Sequence, residues 1–201
     1  MRGKLVAVVG VIAACSGQRT DASRANNAGD STATNASAGE APPSSSHGTM
    51  SAISDANILG ELSEANQAEI AAGQMALQRA QSGEVKSFAR RMISDHTKML
   101  NAGKALADSL SITPAPPSPD SLPQKADQET QALSAATGAP FDKAYMDAQV
   151  ADHRMVLNLL KQLEGAAHNP RLKALITGAE PTVQSHLDRA QAIDGKVGTT
   201  A

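Results

Sequence analysis

Apolar residues recur every three or four positions from residue 53 to about residue 193, the period of helices that bury one face. We predict two long helices from the first half of this pattern. The first spans Ser54–Gln81 and its opening serine is the N-cap, while the second has Ser82 as N-cap and Glu84 in its first turn. Apolar positions step regularly by four and three residues to Leu110, as in the packed face of a helical bundle.

The second half of the pattern predicts two more long helices, separated from the first pair by a proline-rich segment. Five prolines in residues 113–123 exclude a helix there, and a short helix is predicted over residues 124–137. The third long helix begins at Pro140, and the fourth follows the Asn169-Pro170 start signal and runs to about Ile193. Pro181 is expected to kink the fourth helix, because proline cannot donate a helical hydrogen bond.

The lengths of the connections predict the topology. Short connections join the first helix to the second and the third to the fourth, so each of these pairs forms an antiparallel hairpin. The connection between the second and third helices is long enough to return along the bundle. We therefore predict an all-α, ferritin-like four-helix bundle with a long Pro-rich crossover that contains a short helix. Phe88 and Tyr145 lie near the starts of the second and third helices, so they should meet if these helices run parallel.

The N-terminus has the pattern of an export signal. Arg2 and Lys4 precede an apolar run over Leu5–Ile12, which is too short to span a bilayer. The run ends at Cys15, the only cysteine of the chain, at the position where a bacterial lipobox carries its lipid-bearing cysteine. An ordinary signal peptide with a chance cysteine is the alternative. Lipid attachment at Cys15 would anchor the mature protein to a membrane without spanning it.

Composition divides the chain into four segments. Residues 1–14 are the predicted signal peptide, residues 15–52 carry the lipidated cysteine and a disordered low-complexity tether, residues 53–195 form the bundle, and residues 196–201 are a disordered tail. We expect a lipoprotein of the cell envelope, in the periplasm or at the outer membrane. The membrane would be one partner, and an unknown envelope protein would be another.

Charge and motifs exclude several functional classes. The formal net charge is −2 and no basic face appears, so nothing indicates a nucleic-acid partner. No Ser–His–Asp pattern or glycine-rich phosphate loop is present in the sequence. We therefore predict no catalytic residues and a non-enzymatic protein, whose stability comes from packing without an intramolecular disulfide.

Four polar side chains interrupt the apolar faces of the four long helices. They are Glu69, His96, His153 and His186. His96 and His153 each follow the start of their helix by about 18 Å, and the other two fall near the same height when their helices run antiparallel. The sequence therefore predicts one polar layer near the middle of the bundle.

This layer has a metal-binding interpretation. Three imidazoles and one carboxylate would suit Zn²⁺, Cu²⁺ or Fe²⁺. Asp95 and Asp152 each precede a histidine by one position, so each could accept a hydrogen bond from a histidine of a neighbouring helix and orient it. Copper(I) is a further possibility because soft thioethers lie nearby, at Met92, Met99 and Met146. We expect these methionines to be core fillers instead.

The layer also has a purely structural interpretation. Buried polar residues that bond to one another can fix the register of packed helices. We expect this role to predominate, in a binding or structural module of unknown molecular activity. The alternative is a metal-binding envelope protein that uses the Glu/His layer, and no cofactor is established by the sequence.

Several motifs in order resemble the bacterial domain of unknown function 4142 family. They comprise Ala68–Ile70, Glu84–His96, Phe141–Tyr145, Asp152-His153 and Leu172–His186. The resemblance covers residues 53–193 and implies a ferritin-like bundle in secreted or envelope proteins, without an established activity. The Glu-x-x-His motifs of di-iron ferritin-like proteins are absent, because Ile93 and Val183 occupy the glutamate positions.

Overall fold

The computed structural model describes residues 53–116 and 122–197. The predicted signal peptide, the lipid attachment at Cys15 and the predicted tether lie outside these residues. Every element in the described residues is helical, which confirms the predicted all-α class. The elements are α1 (Asp55–Arg79), α2 (Gly83–Leu110), α3 (Leu122–Ser134), α4 (Ala139–Ala166) and α5 (Pro170–Val197).

The helix ends follow the predicted capping residues closely. Ser54 accepts a hydrogen bond from the backbone of Asn57, whose side chain bonds back to the Ser54 backbone, and this closes a capping box. Ser82 accepts from the backbone of the first turn of α2, and Gly138, with φ of 67°, leads into α4. Since a positive φ favours glycine, the chain can turn sharply there before Pro140.

Several boundaries differ from the prediction, and α1 ends at Arg79, two residues before the predicted Gln81. α3 begins at Leu122, two residues early, because proline is tolerated in the first turn of a helix and Pro123 therefore does not prevent it. The same helix ends at Ser134, three residues before the predicted end. α5 continues through Pro181 to Val197 and so includes the first two residues of the predicted tail.

Two aspartates fix how the two hairpins meet. Asp55 at the start of α1 accepts hydrogen bonds from the backbone of His168 and Asn169, in the turn between α4 and α5. Asp142 at the start of α4 accepts from the backbone of Gln81 and Ser82, in the turn between α1 and α2. Each hairpin therefore caps the turn of the other, and α1 runs antiparallel to α4.

The same arrangement makes α2 and α4 parallel. Phe88 and Tyr145 meet edge to face with ring centroids 6.3 Å apart, which confirms the predicted contact between the starts of these helices. α3 returns along α1 and α4: Ala115 bonds to Ala56 near one end, and Arg79 bonds to the Ser134 carbonyl at the other. The long connection is therefore a crossover of the ferritin-like type.

Buried residues form two separate cores. The aromatic core lies at the end where α2 and α4 begin and contains Phe88, Phe141 and Tyr145. The aliphatic core lies at the opposite end and is built from leucine, isoleucine, valine and alanine. Among the described residues, no helix is both long enough and apolar enough to cross a membrane.

Candidate metal centre

Three histidines from three helices meet between the two cores. His96 projects from α2, His153 from α4 and His186 from α5, and they are 6%, 1% and 0% exposed. Their ring centroids lie 5.4 to 6.0 Å apart. One nitrogen of each ring lies within 4.8 Å of the corresponding nitrogens of the other two. The structure therefore brings all three sequence-predicted histidines into one cluster, called here the histidine centre.

Each ring is held by a hydrogen bond on its outer nitrogen. His96 Nδ1 lies 2.9 Å from the side-chain oxygen of Asn66, and His153 Nδ1 lies 2.9 Å from the backbone oxygen of Gln149. His186 Nε2 lies 3.1 Å from a carboxylate oxygen of Asp95. All three partners are acceptors, so each neutral ring must carry its proton on this outer nitrogen.

The second nitrogen of each ring, called here the inner nitrogen, is left with an unused lone pair. His96 Nε2, His153 Nε2 and His186 Nδ1 are buried and have no hydrogen-bond partner within the described part of the chain. An unpaired buried acceptor costs about 1–3 kcal/mol. Three such atoms in one cluster are available to accept a hydrogen bond or to bind a cation.

The triangle is close to the size that a metal ion requires. Since its sides are at most 4.8 Å, a central ion would lie within about 2.8 Å of each nitrogen. Zinc–nitrogen bonds are about 2.0–2.1 Å, so each ring would need to move inward by less than about 1 Å. Side-chain rotation and small helix shifts supply movements of this size.

The electrostatics keep the rings neutral. Burial, together with the charges that His153 and His186 would carry, lowers the pKa of His96 to about 3. Burial lowers the pKa of His186 to about 4 although its bond to Asp95 acts in the opposite direction. The pKa of His153 is also lowered by burial. Neutral imidazoles are the form that binds metal, so the centre needs no deprotonation near neutral pH.

Asp95 orients His186 as the sequence pattern suggested. Burial acts to raise the pKa of Asp95, but hydrogen bonds from His186, Lys98 and Arg91 outweigh it and hold this pKa at about 2. The carboxylate is therefore charged when it accepts the His186 proton. A carboxylate behind a metal-binding imidazole fixes the ring and strengthens it as a donor.

Two of the sequence-predicted residues lie elsewhere. Glu69 is outside the histidine triangle, and one of its carboxylate oxygens accepts a hydrogen bond from Gln149 at 2.9 Å. Asp152 bonds to Lys125 of α3, and no histidine of the described residues bonds to it. The reason is α3, because Lys125 offers Asp152 an ammonium partner that the sequence pattern had not paired with it.

Sequence reasoning missed the outer acceptors of His96 and His153. Asn66 follows Leu62 by one helical turn and its amide nitrogen bonds to the Leu62 carbonyl at 2.6 Å, which turns its oxygen towards His96. The acceptor for His153 is the backbone of Gln149 one turn earlier, so no side-chain pattern could reveal it.

The nearby methionines divide into two groups. Met92 and Met146 are fully buried in the aromatic core, as expected of core fillers. Met99 is half-buried and lines a cavity that also reaches His96.

A family model for a domain of unknown function, DUF4142, matches residues 39–193. The chain belongs to this family. No curated protein matches it.

Two solved structures share the fold. One is a DUF305 protein from Streptomyces coelicolor described as secreted, with a TM-score of 0.63 and 16% identity, over 73% of this chain and 96% of that chain. The other is CopM in its Cu(II)-bound form, with a TM-score of 0.56 and 19% identity, over 71% of this chain and 98% of that chain. Identities this low establish similarity of fold alone.

Proposed function

We propose that this protein binds one transition-metal ion at His96, His153 and His186. The observation that carries the proposal is a cluster of three buried imidazoles that can offer one nitrogen each within 4.8 Å of one another, with one unpartnered nitrogen on every ring. The outer nitrogens are each held by an acceptor, which is the arrangement that prepares imidazoles for a metal. The role is one of binding rather than catalysis.

A purely structural cluster accounts for these features less well. A polar layer that fixes helix register does so through hydrogen bonds between its members, and here no hydrogen bond joins the three rings to one another. Asn66 and Asp95 already supply register on the outer side, because each bonds to a histidine of another helix. The metal-binding role therefore takes precedence over the structural role that the sequence alone favoured.

Copper(II) and zinc(II) are the ions that suit the donor set best. Three neutral imidazoles are borderline ligands typical of both, and Cu²⁺ binds most nitrogen sites more tightly than other divalent ions of its row. The similar fold of CopM in its Cu(II)-bound form adds support for copper. Fe²⁺ is less favoured because Glu69, the one carboxylate predicted for the site, lies outside the triangle.

The test is metal stoichiometry and stabilisation. Protein purified without chelator or affinity tag should bind one Cu²⁺ or Zn²⁺, and metal at 100 times its Kd should raise the free energy of unfolding by about 2.7 kcal/mol. His153→Ala should abolish both effects. His168→Ala is the matched control, because His168 is largely exposed in the α4–α5 turn. Equal stabilisation of both variants by metal would overturn the proposal.

We also propose that the bundle works outside the cytoplasm, held to a membrane by a lipid on Cys15. The signal-like N-terminus supports this, as does the similarity to a protein described as secreted. Cys15→Ser should move the protein from the membrane fraction to the soluble fraction of the envelope. Retention of this variant in the membrane fraction, with unaltered gel mobility, would contradict the lipid attachment.

A further inference from the structure

A cavity of about 760 Å³ reaches the edge of the histidine centre at His96, while His153 and His186 do not line it. Its wall includes His96, while Glu69, Glu129, Lys125 and Asp152 line another part of the same cavity. The rest of the wall is rich in alanine and glycine, so small side chains create the space. An ion could therefore travel from these charged residues to His96 without crossing a packed core.

The charged residues form a cluster under α3, called here the acidic cluster: Glu69 of α1, Glu129 of α3 and Asp152 of α4. Lys125 of α3 bonds to Asp152 and lies 4.0 Å from Glu129, so its ammonium stands between two carboxylates. Burial raises the pKa of Glu69 to about 7, and burial with the neighbouring Asp152 raises that of Glu129 to about 8. Glu69 and Glu129 therefore hold protons near neutral pH beside the Lys125–Asp152 ion pair, and a cation that binds there would displace those protons.

Buried oxygen atoms also point to a ligand here. The side chain of Gln149 is fully buried and donates its amide hydrogen to Glu69, while its amide oxygen has no partner in the described residues. The hydroxyl of Tyr145, also fully buried, has no partner in the same residues and interacts electrostatically with Glu69 and Glu129. Oxygen atoms of amides, hydroxyls and carboxylates are the ligands that hard cations prefer.

Gln149 joins the acidic cluster to the histidine centre. Its side chain bonds to Glu69, and its backbone oxygen bonds to His153. A cation bound by Glu69 would therefore be connected to the His153 ring through Gln149 alone.

We infer that the acidic cluster is a second, oxygen-lined cation site, which captures divalent metal ions for the histidine centre in exchange for the Lys125 ammonium. This inference rests on the proposed function. A cation that displaces the protons of Glu69 and Glu129 leaves both carboxylates charged. Capture at such an acidic entrance raises the local concentration of cations, and it increases association rates by about 10- to 1,000-fold in steered systems. Lys125 weakens this effect while it occupies the cluster.

Stopped-flow measurement of Zn²⁺ binding tests whether ions reach the histidine centre through the acidic cluster. The variants used are in α3, which carries no ligand of the histidine centre. Glu129→Gln should slow association by about tenfold, and Lys125→Gln should accelerate it by about threefold or more. The rate of Zn²⁺ dissociation should change in the same direction as the rate of association. An ion that enters and leaves through the acidic cluster is affected in both rates, so the Kd at the histidines is unaltered. Asp127→Asn on the same helix and Lys161→Gln on α4 are exposed charge-matched controls that should leave both rates alone.

Manganese(II) tests the second site by itself. Mn²⁺ is a hard ion that prefers oxygen ligands, and free Mn²⁺ is measured directly by electron paramagnetic resonance. Protein filled with one Zn²⁺ should bind one further Mn²⁺, more tightly in Lys125→Gln and not in the Glu69→Gln, Glu129→Gln double variant. Circular dichroism establishes that each variant is folded.

The two proposals fail in different ways. Absence of any Zn²⁺ or Cu²⁺ at the histidines would remove the proposed function, and the Mn²⁺ measurement on unfilled protein would still decide the second site. Mn²⁺ binding that is absent from Lys125→Gln, or equal in all variants, would overturn the capture site. Zinc association rates that do not respond to Lys125 and Glu129 would overturn the route.

Discussion

The two ends of the bundle are built on opposite principles. The aromatic core packs Phe88, Phe141 and Tyr145 together with buried methionines and leaves these large side chains almost inaccessible. The other end has an aliphatic core, and a cavity of about 760 Å³ runs beside it and extends to Met75 and Leu133 at the aromatic core. Alanine and leucine are the commonest residues of the cavity wall. The comparison indicates that one end supplies stability and the other supplies access, with the histidine centre between them.

The largest expected difference is in the response to truncation. Phe141→Ala removes a fully buried ring from the aromatic core and should lower the free energy of unfolding by about 3–5 kcal/mol. Leu62→Ala removes a half-buried side chain from the cavity wall and should cost less than about 2 kcal/mol. Urea denaturation of metal-free protein measures both values. Equal costs would show that the two ends are packed alike.

Gly60 of α1 is in tight contact with the backbone at the start of the crossover. A Cβ at Gly60 would lie 2.5 Å from the Ala115 carbonyl carbon and 2.5 Å from the Pro116 nitrogen, both backbone atoms. Gly60→Ala should therefore destabilise the protein by about 1–3 kcal/mol, because the start of the crossover must move away from α1. A thermal melt with an unchanged midpoint would show that this close approach is not needed.

The acid response of the histidine centre follows from its lowered pKa values. The unfolded chain takes up protons on histidine below about pH 6.5, whereas folded His96 and His186 do so only near pH 3 and pH 4. Their contribution to stability is therefore complete above pH 6.5 and is lost as the pH falls towards 4. The raised pKa values of Glu69 and Glu129 act with the opposite sign, since their contribution is lost as the pH rises from 4.5 towards 7 and 8.

These opposing effects are separated by substitution. In a Glu69→Gln, Glu129→Gln background, the free energy of unfolding of metal-free protein should decrease steadily from pH 6.5 to pH 4. Nitrogen-15 spectra of the imidazoles provide a direct control and should keep the neutral pattern for His96 and His186 at pH 5. Protonation of these rings near pH 6.5 would contradict the account of the centre.

The smallest expected effect is a gain in stability. Gly103 lines the cavity on α2, and a Cβ added there meets no atom within 4 Å. Gly103→Ala should stabilise the protein by about 0.5–1 kcal/mol, because alanine loses less conformational entropy than glycine in a helix. A loss of stability would mean that the cavity wall is closer here than the structure indicates.

The helices were predictable because the sequence signals that define them are local. The period of apolar residues, the capping serines and the start signals Pro140 and Asn169-Pro170 all act within one helical turn, so they located four helices to within a few residues. The crossover was predictable from the length of one connection. The start of α3 was not, because proline excludes the interior of a helix and permits its first turn.

The candidate site was predictable only where it follows the helical period. His96, His153 and His186 occupy inward positions at similar heights, so counting along the helices was enough to group them. Glu69 satisfied the same count, and yet Gln149 bonds to it away from the triangle. The pairing of Asp152 with Lys125 depended on how α3 docks against α4, which no pattern within a single helix encodes.

X-ray absorption at the metal edge tests the central claim most directly. Protein loaded with one equivalent of Zn²⁺ or Cu²⁺ should show three imidazole nitrogens, at about 2.0–2.1 Å for zinc, with the outer-shell scattering that imidazole rings produce. His96→Ala, His153→Ala and His186→Ala should each lower the imidazole count. A bound metal surrounded by oxygen alone, or a spectrum that does not change in these variants, would contradict the histidine centre.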